Sequence, residues 1–318
     1  YSAPMDHPVA EALRHRPEGS RLALVIEGGG MRGAVSGGMA LGLHEMGLNG
    51  AFDAIYGSSA GTLNGMWFIS GRVEDGLPTW TDPVLNREMI NFRRIVGRRP
   101  IVDVEHLVER RYEELSPGLF EKVLASPTEL HPIATQVDTG LPVDLFPTIH
   151  DEASLRDAIR ASATLPLLAG PPVVIGETGY LDAGLSSAIP IRAAVADGAT
   201  HILVLRSRRE GEVVTRPEGL SARITTRMLA RIDPAVSKAF LARADGEMED
   251  EEMLSAHDRE PHRTPHVLSV RPAPGSPAPG RLEKDIEVVR AGLEAGRVAA
   301  HRALGDPAGR RVEADGVA

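Results

Sequence analysis

Apolar residues in this chain come in short unbroken runs, each followed by a glycine-rich turn and then a stretch at helical spacing. Leu22-Ala23-Leu24-Val25-Ile26 is continuous, as a parallel strand buried on both faces should be. A glycine loop ends it at 27–33, and residues 34–46 then recur at helical spacing, with small residues suited to close packing on a sheet. The same order repeats. Residues 52–56 read as a short strand with β-branched and aromatic members, 57–61 are glycine, serine and alanine, and 62–69 continue as an apolar helix. Strand, turn, helix, strand, turn, helix is the alternation of a parallel α/β sheet.

From 72 to 132 the pattern loosens into loops and short helices, such as 103–112 and 119–125, expected to cover or border a site. Strands follow at 133–137 and 143–146, joined by 138–142. A helix over 154–162 takes Ser154 as its cap. Short strands at 171–175 and 180–181 precede a helix over 190–196, begun by Pro190 and ended near Gly198, which feeds a strand at 201–205. Beyond lie a charged loop (206–219), two or three helices (220–254) and a late strand (265–270). A proline-rich linker (271–280) leads to an amphipathic helix marked by Leu282, Ile286, Val289 and Leu293, running to about Leu304. No internal repeat or clean boundary interrupts this order. The expected architecture is a three-layer α/β domain, a parallel-rich sheet with helices on both faces. It divides into a flexible arm (1–20), a core (21–205), a helical C-terminal flank of the same domain (206–304) and a fraying tail (305–318).

Composition narrows the function. The 318 residues carry 35 Lys and Arg against 44 Asp and Glu, a formal charge of −9, which disfavours nucleic acid as a partner. Cysteine is absent, so disulfides, thiolate catalysis and cysteine–zinc sites are excluded. Apolar runs fall short of the roughly 18 residues of a membrane span, and no basic-then-apolar leader opens the chain. The expected location is cytoplasmic. Tyr1-Ser2-Ala3-Pro4 ahead of Met5 leaves a cleaved signal segment open. Arg93-Arg94, Arg98-Arg99 and Arg206-Ser207-Arg208-Arg209 are basic clusters that suit either solvated loops or peripheral contact with anionic membrane lipid.

The turn at Gly57-Ser58-Ser59-Ala60-Gly61 is the strongest chemical candidate. A serine at the tip of a strand-to-helix turn is held in a strained conformation with its hydroxyl clear of the sheet, and small residues two positions to either side make room for it. Ser59 is therefore the candidate nucleophile, with Gly57 and Gly61 as its small neighbours; an ordinary glycine/serine turn is the plain alternative. Gly28-Gly29-Gly30, between a strand and a helix, offers bare backbone N–H groups, and with the N–H of Ala60 forms a candidate oxyanion cradle. The same loop spells Gly28-x-Gly30-x-x-Gly33, a dinucleotide fingerprint with Asp53 about 20 residues on. Asp53, however, falls at the start of its strand, at the edge opposite to where a ribose would sit. For the base, His44, His106, His131, His150 and His201 lack any supporting pattern, with His201 the choice in a Ser-His-Asp reading. Asp182 in Tyr180-Leu181-Asp182-Ala183-Gly184 sits directly after a short strand, where acids line the site edge of α/β proteins.

Together, Gly28-Gly29-Gly30-Met31-Arg32-Gly33, Gly57 to Gly61 and Asp182-Ala183-Gly184 resemble the ordered motifs of the patatin-like phospholipases, and the likeness covers roughly residues 21–205. The segment 82–103, with Ile90-Asn91-Phe92-Arg93, is similar to a bacterial branch of that family. The resemblance implies a Ser-Asp dyad: Ser59 as nucleophile, Asp182 as proton acceptor, and the Gly28–Gly30 loop with Ala60 as oxyanion hole. Arg32, Gly33 and Gly184 complete the motifs, Arg32 either steadying the loop, attracting an anionic head group or lying on the surface. It also implies an acyl-lipid substrate, cleavage of carboxylic esters, and neither metal nor cofactor. Ala183 stands where the family usually has glycine; a positive φ there would cost on the order of 1 kcal/mol. A nucleotide- or acyl-CoA-binding protein using the glycine loop is the non-catalytic alternative. Oligomeric state, acyl length and head group leave no trace in the sequence.

Overall fold

A computed structural model describes residues 7–305 except Arg98. The strands are β1 (Leu22–Ile26), β2 (Ala54–Ser58), β3 (Glu129–Gln136), β4 (Pro142–Asp144), β5 (Val173–Ile175), β6 (Thr178–Asp182), β7 (His201–Leu205) and β8 (His266–Val270). They form one sheet in the order β5-β6-β3-β2-β1-β7-β8, with β4 also paired to β3. From β3 through β2, β1 and β7 to β8 every pairing is parallel, whereas β4, β5 and β6 attach antiparallel. We label the helices that bear on this sheet α1 (Pro8–Arg14), α2 (Gly33–Glu45), α3 (Ala60–Ile69), α4 (Glu152–Ala163), α5 (Ile191–Ala196), α6 (Gly219–Leu229), α7 (Pro234–Arg259) and α8 (Ile286–Leu304).

The pleat of β1 explains the three layers. Leu22, Leu24 and Ile26 join one apolar cluster with residues of α2, α3 and α8, while Ala23 and Val25 join another with Ile191, Ala194 and Leu254. Alternate residues of one strand thus feed two cores, which is why the run has no polar position. Helix α8 lies directly on α2. A Cβ on Gly38 would strike the Leu293 carbonyl, so glycine permits this backbone approach.

Several local expectations change. In the N-terminal stretch read as an arm, α1 buries Val9, Ala10 and Ala12 against β7 and β8, because a single apolar stripe suffices to dock so short a helix. Strand β3 begins earlier than its periodicity suggests and contains Pro132. That residue's carbonyl accepts from Leu145 N at 3.0 Å, so the position lacking an N–H faces away from β2 and leaves their ladder intact. The helix expected over 103–112 is broken by a wider π turn at Leu107–Arg111, where the Val108 carbonyl accepts from Arg156 at 2.9 Å. Helix α4 is capped by Asp151, not Ser154: Asp151 accepts from Ser154 N at 2.8 Å while Ser154 Oγ accepts from Asp151 N at 3.0 Å. The last helix starts at Ile286, capped by Asp285, so Leu282 lies outside it. Within the helical C-terminal part, β8 extends the sheet in parallel, as the late apolar run suggested. Residues 1–6 of the arm, Arg98 of the second basic cluster and 306–318 of the tail lie outside the described residues.

Candidate active site

Ser59 stands between the end of β2 and the first turn of α3 with φ 54° and ψ −121°. Only Gly tolerates that region readily, so the fold holds a serine there at a cost of about 1–2 kcal/mol. The flanking glycines make it possible. A Cβ on Gly57 would overlap the Thr62 backbone, and one on Gly61 would overlap the Ile26 carbonyl of β1. Ser162, near the end of α4, accepts from Ser59 N at 3.1 Å and shares a hydrogen bond with Thr62 Oγ1 at 2.7 Å. In the sequence Ser162, a serine among small apolar residues, carries no signal of its own.

Sheet register brings Asp182 to the same place. Ser58 pairs with Ile133 and Ala134 pairs with Asp182, so the acid sits across β3 from the serine, one register step on. Both are buried, Ser59 at 5% and Asp182 at 3% exposure. Asp182 N donates to the Thr164 carbonyl and its own carbonyl accepts from Thr135 Oγ1, each at 2.9 Å, which fixes the strand end. Its carboxylate is only half satisfied: Oδ1 accepts from Gly184 N at 2.8 Å, and among the described residues Oδ2 has no hydrogen-bond partner. Burial raises its pKa. The Ser59 hydroxyl, the Gly184 N–H, Arg281 and Arg243 all pull it down, but burial prevails. The Ser59 hydroxyl thus lies near enough to favour the charged carboxylate, although no hydrogen bond of standard geometry joins the two. Ala183 is fully buried with no positive φ, since Ser59 and Leu167 are the described non-glycine residues there. Its methyl group introduces no backbone strain.

The glycine loop is more selective than its sequence. Gly28 N donates to the Ala188 carbonyl at 3.1 Å, so it supplies space beside Ser58 rather than a free donor. Among the described residues the N–H groups of Gly29, Gly30 and Ala60 donate to no protein acceptor. Gly30 has φ +59°, and a Cβ there would strike the Arg281 carbonyl, which accepts from Met31 N at 3.0 Å. Gly33 lets the starts of α2 and α3 meet: a Cβ would lie 2.5 Å from that of Ala60. Arg32 is buried rather than superficial, 3.7 Å from Glu212, and burial lowers its pKa to about 10, which leaves it charged at neutral pH.

Behind the loop lies a pair that the sequence did not disclose. Glu27 is 1% exposed, and its Oε2 accepts from Arg206 Nε at 3.1 Å and Ser207 N at 2.8 Å. Burial would raise its pKa, yet Arg206, Arg32 and Arg208 together hold it below the usual carboxylate value. The fixed charge at the end of β1 anchors the loop that follows. Leu63, Trp80, Met89, Leu165 and Leu282 line an apolar cavity of about 50 Å³ next to Ser59. Ligand pockets usually hold about 300–1,000 Å³, so a long chain enters only if this lining moves.

The rival readings find no support in this geometry. Asp53 accepts from Leu22 N at 2.8 Å and pairs with Arg16 at the start of β2, the edge away from the glycine loop. His201 pairs in register with Leu22, the whole length of β1 from that loop, and its Nδ1 lies against Thr200 Oγ1. His44 and His131 bond Asn49 and Asp144, while His106 and His150 lie beside Glu88 and Asp151. Among the described residues no helix is long and apolar enough to cross a membrane.

Comparison with known proteins points to one family. A family profile described as Patatin-like phospholipase matches residues 24–195. The uncharacterized protein YjjU of Escherichia coli K12 is 30% identical over 189 residues, covering 59% of this chain and 52% of its own. Uncharacterized NTE family proteins of Mycobacterium bovis and Mycobacterium tuberculosis are each 28% identical over 324 residues, covering 95% of this chain and 50% of theirs. The chain thus spans about half the length of the curated relatives it matches.

Proposed function

Because the chain belongs to the patatin-like phospholipase family, we propose that it is a serine acyl hydrolase that cleaves the carboxylic esters of phospholipids, lysophospholipids or related acyl lipids through Ser59 and Asp182. The observation that carries this reading is the unpartnered Asp182 Oδ2, buried beside a serine held at positive φ. A carboxylate is a weak base for an alcohol, and a water-poor site is what raises its proton affinity.

In this mechanism Asp182 takes the Ser59 proton as Oγ attacks the acyl carbonyl. The oxyanion falls to the N–H groups of Gly29, Gly30 and Ala60, where each preorganised donor typically contributes about 3–4 kcal/mol. Asp182 then returns the proton to the leaving alcohol, and water, deprotonated by the same group, releases the fatty acid from the acyl-enzyme. The acyl chain extends along Leu63, Met89, Leu165 and Leu282.

Hydrolysis of p-nitrophenyl butyrate and of a phospholipid and lysophospholipid panel by the wild-type chain, Ser59→Ala and Asp182→Asn tests the reading. Wild-type turnover with at least a hundredfold loss in both variants supports it. Turnover that survives either substitution removes the dyad.

A further inference from the structure

The end of the sheet opposite Ser59 carries a cluster that acyl transfer does not use. Glu129 and His131 are two residues apart on β3 and therefore project from the same face of the sheet. Asp197, in the turn after α5, joins them: one carboxylate oxygen from each acid and one ring nitrogen of His131 lie within 4.8 Å of one another. His131 is 3% exposed, and among the described residues its Nε2 makes no hydrogen bond, lying 3.5 Å from Glu129 Oε2 within the cluster. The ring cannot easily turn elsewhere. It stacks on Tyr56 with centroids 4.3 Å apart, meets Phe146 at 4.5 Å, and its Nδ1 is 2.6 Å from Asp144 Oδ2. A carboxylate on one imidazole nitrogen, with the other fixed in direction toward the acids and closing no hydrogen bond, is how metal-binding histidines are oriented.

Charge points the same way. Glu129, Asp144 and Asp197 supply three negative charges, and Arg21 supplies the one guanidinium that bridges two of them, at 2.8 Å to Glu129 Oε2 and through a hydrogen bond to Asp197 Oδ2. The remainder is −2. Tyr56 Oη also donates to Asp197 Oδ2, so among the described residues Glu129 Oε1 and Asp197 Oδ1 accept no hydrogen bond.

We propose that Glu129, His131 and Asp197 form a structural site for a divalent transition-metal ion of the zinc type, with Asp144 as the group that orients His131. One imidazole nitrogen and two carboxylate oxygens suit Zn²⁺ and leave a fourth position for water, whereas Ca²⁺ and Mg²⁺ prefer oxygen alone. In a tetrahedral shell with bonds of about 2.0–2.1 Å the ligand atoms lie about 3.3 Å apart. The two acids are 37% and 43% exposed and can close that distance while the ring stays in place. The ion would tie the start of β3 to the turn after α5, across β2 and β1, and stiffen the sheet from the end away from the glycine loop.

Isothermal titration of the chelator-stripped chain with ZnCl₂, together with thermal melting, tests this independently of any esterase activity. One ion per chain and a rise in Tm are expected. His131→Asn should weaken binding more than tenfold, and Asp144→Asn by about 10–100-fold, the usual loss when an orienting carboxylate is removed. Asp197→Asn alters an exposed side chain and should fold normally, yet lose both binding and the rise in Tm. Arg21→Ala should bind more tightly, because a competing cation is gone. Absence of saturable uptake at one ion per chain, or Asp197→Asn binding Zn²⁺ as the wild type does, overturns the proposal.

Discussion

The backbone N–H of Met31 donates to the carbonyl of Arg281 at 3.0 Å, tying the glycine loop after β1 to the segment that leads into α8. The loop is thereby held from both sides: Glu27 fastens its start through Arg206 and Ser207, and Arg281 fastens its far end. An oxyanion cradle of the proposed kind needs such support, because a displacement of about 1 Å can cost a hundredfold in rate.

Gly30→Ala tests that support. The added methyl group meets the Arg281 carbonyl in a backbone region unfavourable to alanine by about 1–2 kcal/mol. Turnover of p-nitrophenyl butyrate should fall about a hundredfold or more while far-UV circular dichroism stays that of the wild type.

Glu27→Gln should be destabilising well beyond a surface change. It leaves the fully buried Arg206 guanidinium with Glu251 as its remaining carboxylate partner, so the loss should approach, without reaching, the roughly 3–5 kcal/mol of a buried charge left wholly unpaired. Urea unfolding followed by fluorescence gives the difference directly.

Ser162→Ala removes the acceptor of the Ser59 N–H. A buried donor left unsatisfied costs about 1–3 kcal/mol, so both unfolding free energy and kcat should drop, with KM less affected. An unchanged kcat would show that Ser162 does not position the serine.

Asp182 links activity to stability through pH. Its pKa is raised in the folded chain, so it favours the protonated form there. Below the unfolded value, about 3.9, the group is protonated in both states and folding suffers no penalty. As pH rises through the folded value, that advantage is lost and a buried charge must be carried. Asp182→Asn should therefore gain stability relative to wild type as pH goes from about 4 to 8, while losing activity. The wild-type rate should fall on the acid side, with its midpoint above the usual carboxylate value.

The candidate site was legible where it is local. Gly57, Ser59 and Gly61 lie within one turn whose sterics dictate their identities, and the alternation around them set the sheet. Asp182 was legible as a strand-end acid, although its meeting with Ser59 depends on pairing through β3, which periodicity does not encode. Gly28 illustrates the limit within the loop: a bare N–H in sequence turned out to be engaged by Ala188. Glu27, Ser162 and His131 were opaque for a common reason. Each is a polar residue buried by partners distant in the chain, and nothing beside it in the sequence marks that burial. The start of β3 was hidden by Pro132, whose missing donor faces away from β2 and so leaves that ladder intact.

The most direct measurement is mass spectrometry of the chain after reaction with a fluorophosphonate. The account expects one adduct, on the peptide that carries Ser59, formed at least a hundredfold more slowly in Asp182→Asn. An adduct on another residue, or labelling of Asp182→Asn at the wild-type rate, contradicts it.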